Sequence, residues 1–463
     1  MQVANSYEQG VDDGAGQRNE IPASNTPLHV LLPASSRDVN LCKTVLSAAV
    51  LDFPSPTVVN WGKKFTDDSM LANGSHLAKI SGVLDLLETL RPEQDQDLIL
   101  LVDAFDVWFQ LRPSVLIERY HVINREAERR IAKRVGRAAK SGSIKQTVIF
   151  GASKHCLPNE PDDIGCFPLP ESPLPKDMYG TNTDTEHGHT EHSSFRPRYL
   201  NTGFIIGPAS DLRAIFQSAK QKGTEPHHGG SDQSIFNTIF GEQEFMREVM
   251  RERSLTTFDR LIQRLLDLIG KPDTRATLLN SHPFLQPKNA VQDNSYEFGI
   301  GLDYSALLGH NTADSERDGH YLTYSTPMDI HPEEFDCSPH LHPLPNDIVR
   351  SDPPFPRAKV STKTPQSWKE VPLYTQICTG TVPVMVHHNE VGKLAREEEW
   401  TQLWIQRYAR VLLEMQVKKK EAMGEEGKEV VNVGSVTLDS GGELEWWDLC
   451  TGQGFEKELF RGQ

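Results

Sequence analysis

The amino-acid sequence predicts an α/β fold with a mostly parallel central sheet flanked by helices. Short apolar segments that suit buried strands, at residues 28–32, 57–59 and 98–102, alternate with two segments of helical periodicity. Strands that alternate with helices along a chain favour a parallel sheet with right-handed crossovers. The chain of 463 residues is long enough for one large domain or two smaller ones.

The predicted helices follow the predicted strands in turn. Apolar residues recur every three or four positions in 40–51 and 75–90, as expected of helices with one buried face. Pro113 begins a third helix, which reaches about Ala139, because proline suits the first helical position. The remaining expected elements are strands at 146–150, 294–304 and 381–388, a turn that leads into a buried strand over 199–207, and helices that begin near 210, at 231 and at 397, the last ending at 415.

Polar or proline-rich segments interrupt this pattern and divide the chain. Residues 1–26 are polar, so we expect them to be disordered. One domain is expected over residues 27–415, with long irregular insertions at 167–198 and 310–370. Residues 416–463 are expected to form a charged linker and a C-terminal tail.

The charge pattern restricts the partners of the protein. The net charge of −16 argues against nucleic acid, because a phosphate backbone repels such a surface. A basic segment, Arg119–Lys140, runs against this overall charge. We expect it to be the solvated face of a helix, and contact with an acidic partner or an anionic membrane is the alternative.

Two observations bear on the cellular compartment. The sequence contains no apolar segment long enough to span a bilayer, and residues 1–26 contain no signal-peptide core, which taken literally indicates a cytoplasmic protein. Cys156 and Cys166, however, flank a proline-bounded loop that a disulfide could close. Because disulfides persist in oxidising compartments, this pair points to the secretory pathway.

A pair of carboxylates follows the apolar segment 98–102. Asp103 and Asp106 come directly after it, where the predicted strand must end. In an open α/β sheet, ligands bind beyond the carboxyl ends of the strands, and paired carboxylates there can hold a divalent cation. The structural alternative is that Asp103 caps a turn and that Asp106 faces solvent.

Further polar residues stand at other strand ends and helix starts. Asn201 precedes an apolar strand, Asp232 opens a helix, and His387 ends the last strand with Lys393 six residues later. Carboxylates with one imidazole suit Mn²⁺ or Mg²⁺, and Mn²⁺ tolerates the nitrogen better. Lys393 could neutralise a phosphate, and Asp232 could orient or deprotonate an acceptor hydroxyl. Asp232 could instead be an ordinary helix N-cap.

Six short motifs, in order over roughly residues 28–395, resemble the glycosyltransferase domain of the procollagen-lysine hydroxylases and, more broadly, metal-dependent transferases of the GT-A fold. They are a strand with Asp-x-x-Asp at 102–107, a Cys-x-Pro turn at 156–158, Leu-Asn-Thr-Gly at 200–203, Ser-Asp-Gln at 231–233, Leu-Asp at 302–303, and His-His-Asn at 387–389 with Lys393.

The resemblance implies a GT-A-like, Rossmann-like domain that binds a nucleotide sugar, with a UDP-sugar as donor, through Mn²⁺ or Mg²⁺. It implies Asp103, Asp106 and His387 as metal ligands. It also implies a glycan or protein hydroxyl as acceptor and a lumenal (ER or Golgi) location. The other implied site residues are Lys393, Asn389, Gln233 and Asp103 at the donor, and Asp232 and Asn201 at the sugar or acceptor.

The chain departs from the motifs of the family at two places. Ser231 stands where the family has the first acid of Asp-Asp-Gln, and Glu390-Val391 replaces a Gly-Pro pair. Two other functions therefore stay open. One is a metal-dependent nucleotide-sugar hydrolase, which would activate water instead of an acceptor, and the other is a non-catalytic binding protein of the same fold.

Overall fold

The structure is a computed structural model that describes residues 26–141, 144–186, 192–225, 228–270, 296–327, 330–355, 364–389, 393–425 and 434–463. The expected disorder of residues 1–26 lies, apart from Thr26, outside the described residues. In chain order the strands are β1 (Leu28–Pro33), β2 (Thr57–Val59), β3 (Leu98–Val102), β4 (Val107–Phe109), β5 (Val148–Ser153), β6 (Tyr199–Pro208), β7 (Ile300–Asp303), β8 (Gly309–Asn311), β9 (Gly319–Leu322), β10 (Leu373–Gln376), β11 (Met385–His387), β12 (Val436–Leu438) and β13 (Glu443–Leu444).

The helices lie between these strands and after them. In chain order they are α1 (Val39–Val50), α2 (Ser75–Thr89), α3 (Pro113–Val135), α4 (Arg137–Ser141), α5 (Ala209–Lys222), α6 (Asp232–Ser254), α7 (Thr257–Leu268), α8 (Asn346–Arg350), α9 (Lys393–Gln402), α10 (Trp404–Glu425), α11 (Trp446–Cys450) and α12 (Phe455–Leu459). Among the described residues, none of these helices is both long and apolar enough to cross a membrane.

A central sheet of eight described strands confirms the predicted α/β class. Its strand order is β13-β12-β2-β1-β3-β6-β5-β7. The pairs β12–β2, β2–β1, β1–β3 and β5–β7 are parallel, whereas β6 and β13 run antiparallel to their neighbours. The sheet is therefore mostly parallel and Rossmann-like, as the alternation of elements predicts.

Two apolar cores cover the faces of this sheet. In β3, Leu98, Leu100 and Val102 face the core that contains α1 and α3, whereas Ile99 and Leu101 face the core that contains α2, α5 and α6. Successive side chains of a strand point to opposite faces, so a strand covered on both faces must be apolar throughout. This explains the unbroken apolar run at 98–102.

A second sheet of three strands stands beside the carboxyl end of β3. Its order is β4-β11-β8, with β11 antiparallel to β4 and parallel to β8. The strand predicted over 381–388 is observed only at Met385–His387, because Pro383 lacks the N–H that a longer ladder requires. The register places His387 opposite Val107 and Asn311, and so brings the C-terminal third of the chain to the Asp-x-x-Asp turn.

The segment 310–370 is more ordered than predicted. Strand β9 pairs with β10 outside this segment, α8 lies within it, and a disulfide joins Cys337 to Cys378. Strands of three or four residues give too short an alternation to be recognised in a proline-rich sequence. By contrast, the described part of 167–198 contains one short 3-10 helix, Gly180–Asn182, as expected of an irregular insertion.

The C-terminal segment corrects the predicted domain end at residue 415. Helix α10 continues to Glu425, and β12 then pairs in parallel with β2 and extends the central sheet. A disulfide joins Cys450 of α11 to Cys42 of α1. The described residues of 416–463 therefore belong to the same fold, because they cover a sheet edge that would otherwise be unpaired.

Candidate metal and substrate site

The Asp103–Asp106 turn is fixed at the carboxyl end of β3 by two backbone hydrogen bonds. The Asp103 N–H donates to the Gly203 carbonyl of β6 at 2.9 Å, and the His388 N–H donates to the Asp106 carbonyl at 2.7 Å. The central sheet thus holds one end of the turn and the three-stranded sheet holds the other. This is the edge at which an open α/β sheet binds its ligands.

Asp103, Asp106 and His387 form one cluster. A ligand atom from each lies within 4.8 Å of those of the other two. The Nε2 atom of His387 lies 3.5 Å from Oδ1 of Asp106 and 3.8 Å from Oδ2 of Asp103. Two ligands of one ion can lie at most about 4.2 Å apart when each bond is about 2.1 Å, so both separations suit a shared Mg²⁺-sized cation.

Each carboxylate of the cluster uses its other oxygen for a basic side chain. The Lys79 ammonium contacts Oδ1 of Asp103 at 2.6 Å, and the Arg396 guanidinium lies 3.4 Å from Oδ2 of Asp106. The oxygens that remain, Asp103 Oδ2 and Asp106 Oδ1, are those that face His387. Three donor atoms therefore converge, and each of the two carboxylates is oriented by a cation.

The tautomer of His387 follows from its neighbour Asn311. The Nδ2 group of Asn311 donates to the Ala152 carbonyl at 2.7 Å, so the oxygen of this amide must face His387. That oxygen lies 2.7 Å from Nδ1 of His387 and can only accept. Nδ1 therefore carries a proton, and Nε2, the nitrogen that faces the two carboxylates, is the one that would ligate a cation.

Gly203 provides the space that His387 occupies. A Cβ atom added to Gly203 would lie 2.1 Å from Nδ1 of His387. The glycine of the Leu-Asn-Thr-Gly motif is therefore required by a close approach between β6 and the imidazole, and not by an unusual backbone conformation.

Lys79 and His76 extend the site to Asp232. The Lys79 ammonium lies 3.0 Å from Oδ2 of Asp232, and Nδ1 of His76 lies 2.7 Å from Oδ1 of the same carboxylate. Both basic residues belong to the first turns of α2, and sequence reasoning missed them. The available signal was position, since a helix that follows a parallel strand begins at the carboxyl edge of the sheet.

The charges of this cluster are set by burial and by opposite charges. Burial alone would raise the pKa of Asp232, but Lys79 and His76 outweigh it and hold that pKa far below its usual range. Burial would lower the pKa of Lys79, yet the carboxylates of Asp103 and Asp232 raise it well above normal. Asp106 likewise has a lowered pKa, because His387 and Arg396 overcome its burial, whereas burial raises the pKa of Asp103.

The predicted alternative for Asp232, a helix N-cap, is wrong. The cap of α6 is Ser231, whose hydroxyl accepts from the Ser234 N–H at 3.2 Å. Asp232 is the first residue of the helix, and its side chain is 5 % exposed. Ser231, which departs from the family motif, therefore has a local structural role of its own.

Three predicted site residues use their amides to hold the backbone around the cluster. Gln233 accepts from the N–H and hydroxyl of Thr202 at 2.9 and 3.0 Å and donates to the Leu200 carbonyl. Asn201 accepts from the Gly203 N–H at 2.8 Å, and Asn389 accepts from the Ala313 N–H at 2.9 Å. These contacts position the strand and the loop that carry the site.

Lys393 is the first residue of α9, and its side chain lies outside what the structure describes. Arg396, one turn later on the same helix, is the described cation that approaches Asp106, and the sequence did not single it out. Asp303, the aspartate of the Leu-Asp motif, lies apart from the metal cluster as a turn cap. Its carboxylate accepts from the N–H groups of Leu307, Leu308 and Gly309.

The proposed loop disulfide between Cys156 and Cys166 is present, together with Cys42–Cys450 and Cys337–Cys378. Three disulfides indicate a protein of an oxidising environment.

The comparisons with protein-family models and with curated proteins identify no relative. No protein-family model matches the chain, and no curated protein matches it. The assignment of a function therefore depends on the geometry of the site.

Proposed function

We propose that this protein is a metal-dependent glycosyltransferase of the secretory pathway that moves a sugar from a nucleotide sugar, of the UDP class, to a hydroxyl of a protein or glycan. The observation that carries the proposal is the convergence of Asp103 Oδ2, Asp106 Oδ1 and His387 Nε2 at the carboxyl edge of the sheet. Two carboxylates and one imidazole suit Mn²⁺ or Mg²⁺.

The residues of the cluster fit a cation that also binds a diphosphate. The cation would stabilise the negative charge that develops on the leaving nucleoside diphosphate. Asp103 is the most open of the three ligands, with 33 % of its side chain exposed against 5 % for His387. Lys79 contacts Asp103 and Arg396 lies near Asp106. A positive charge therefore flanks each carboxylate of the cluster to which an anionic donor would bind.

His76 and Asp232 supply a route for the proton of the acceptor. The ionised carboxylate of Asp232 only accepts, so Nδ1 of His76 donates to it and Nε2 is the ring nitrogen left for another partner. An imidazole oriented in this way can take a proton from a hydroxyl. Asp232, whose pKa is far below normal, is a poor base itself, and we assign it the positioning of His76 and Lys79.

Thermal unfolding with UDP, GDP or CDP, each with and without Mn²⁺, tests the donor and the metal together. A ligand that binds only the folded protein stabilises it by about 2.7 kcal/mol at a hundred times its dissociation constant. We expect a stabilisation by UDP that requires Mn²⁺ and is lost in Asp103→Asn. The matched control is Asp85→Asn on α2, which should retain the shift because Asp85 is exposed.

The products of the reaction test the rest of the proposal. Transfer to an acceptor that is lost in His76→Gln, while the Mn²⁺-dependent UDP shift is retained, supports both the reaction and the role of His76. Release of free sugar at full rate in the absence of an acceptor would indicate that the protein is a hydrolase and not a transferase. A stable protein that binds no nucleotide would overturn the proposal and favour a binding protein.

A further inference from the structure

Helix α7 presents an apolar face to solvent. Seven large apolar side chains on the helix and the residue after it are between 40 % and 81 % exposed, and they are Phe258, Leu261, Ile262, Leu265, Leu266, Leu268 and Ile269. At 3.6 residues per turn they occupy one arc of roughly 160°. The polar residues Asp259, Arg260, Gln263 and Arg264 occupy the opposite arc.

Such a helix requires something to cover it. A helix of 12 residues is marginally stable alone in water, and most helices are stabilised by burial of their apolar face. Scattered exposed apolar residues are normal on a protein surface, whereas a contiguous set marks a site of interaction.

A basic segment lies against α7. The Arg137 guanidinium of α4 lies 3.3 Å from the Asp259 carboxylate, which places the C-terminal part of the basic segment beside α7, at the polar arc that borders the apolar face. Arg129, Lys133 and Lys140 of this segment are exposed. By contrast, Arg119 turns inward to Asp347 and Arg134 to Glu244 and Glu248, so the predicted solvated face does not include these two residues.

We propose that α7 is an interfacial membrane helix, which inserts its apolar face into an anionic lipid bilayer while the cations of α3 and α4 contact the headgroups. An amphipathic apolar face flanked by Lys and Arg is the combination that binds such a surface. A protein interface typically takes about 20–30 residues a side, far more than this face offers. The net charge of −16 means that any attraction to anionic lipid must be local to this patch.

Helix α7 follows the end of α6 that is remote from the candidate site. Helix α6 begins at Asp232 in the candidate site and ends at Ser254, shortly before α7 begins. Its 23 residues span roughly 35 Å at 1.5 Å per residue. The candidate site and α7 therefore lie at opposite ends of α6.

Flotation of the full chain with vesicles tests the proposal. We expect binding to phosphatidylcholine vesicles that contain phosphatidylglycerol, weaker binding to phosphatidylcholine alone, and a loss at high salt. Leu265→Asp should weaken binding about tenfold or more, because a charge replaces a leucine that the bilayer would bury. The double variant Lys133→Glu/Lys140→Glu should weaken binding only to the anionic vesicles.

The control is Val411→Asp, which places the same charge on an exposed apolar position of α10 and should leave binding unchanged. Hydrogen exchange should show that vesicles protect residues 257–269. Equal flotation of wild type and Leu265→Asp, or no flotation at all, would overturn the proposal. A dimer that Leu265→Asp dissociates, without vesicle binding, would instead assign this face to a second copy of the chain.

Discussion

The site depends on residues that do not touch a ligand themselves. Asn311 fixes the tautomer of His387, and Lys79 and Arg396 each occupy one oxygen of a metal-binding carboxylate. These contacts determine which oxygen atoms of Asp103 and Asp106 stay available to bind a metal ion. The orientation of a ligand set by its neighbours is worth about 10–100-fold in metal affinity.

Replacement of Gly203 by alanine tests the packing of His387 at this scale. The added Cβ would lie 2.1 Å from Nδ1, so the imidazole must leave its present position between Gly203 and the carboxylates. We expect the free energy of unfolding to fall by about 1–3 kcal/mol and Mn²⁺ binding to weaken, as measured by denaturant unfolding and by calorimetric titration.

Gly442→Ala is the control for this prediction, because a Cβ there would meet its nearest neighbour only at 3.5 Å and its backbone is not left-handed. Gly203→Ala with wild-type stability and wild-type Mn²⁺ binding would show that the close contact is not rigid.

The sequence singles out Asp103, Asp106 and His387 by their positions at or just beyond the ends of apolar strands, and the fold brings these three side chains together. It could not select Lys79, Arg396 or Asn311. Their roles depend on which helix start or strand lies across the edge, and this is determined by tertiary packing. Gln233 and Asn389 were selected for the site, yet their amides bond to backbone.

At the scale of elements, long strands and helices were predictable and short strands were not. Strand β3 and helices α1, α2 and α3 have unbroken patterns of four or more apolar positions. Strands β4 and β8, which form the second sheet with β11, have three residues each and give no periodic signal. The geometry that joins His387 to Asp106 therefore could not be derived from periodicity.

The disulfide between Cys42 and Cys450 fastens α11 to α1 across a separation of 408 residues. We expect the double variant Cys42→Ser/Cys450→Ser to lose stability, by about 2–4 kcal/mol in thermal unfolding. The variant Cys156→Ser/Cys166→Ser opens a loop of only 10 residues and should lose less. The opposite ranking would contradict a contribution from chain entropy in the unfolded state.

At the scale of the whole molecule, acid should destabilise the fold through buried histidine. Burial, assisted by the charge of Lys154, lowers the pKa of His310 to about 3 from an ordinary value of 6.5. The unfolded chain therefore binds this proton more tightly than the folded one. The stabilising contribution of neutral His310 is complete above about pH 6.5 and is lost as the pH falls toward 3.

Denaturant unfolding at several pH values between 7 and 4 measures this effect. We expect His310→Gln to show a shallower decline of the free energy of unfolding with falling pH than the wild type. His331→Gln is the control, because 59 % of that side chain is exposed. Identical slopes for wild type and His310→Gln would rule out this histidine as a source of acid sensitivity.

The pairing of β12 with β2 has a consequence for how the protein is made. Residues at 57–58 take their parallel partners from 437–438, close to the end of the chain. While the ribosome is still translating the middle of the message, that flank of the nascent sheet has open backbone donors and acceptors, which invite aggregation. The eight-stranded sheet is thus completed only after residues 437–438 have been translated.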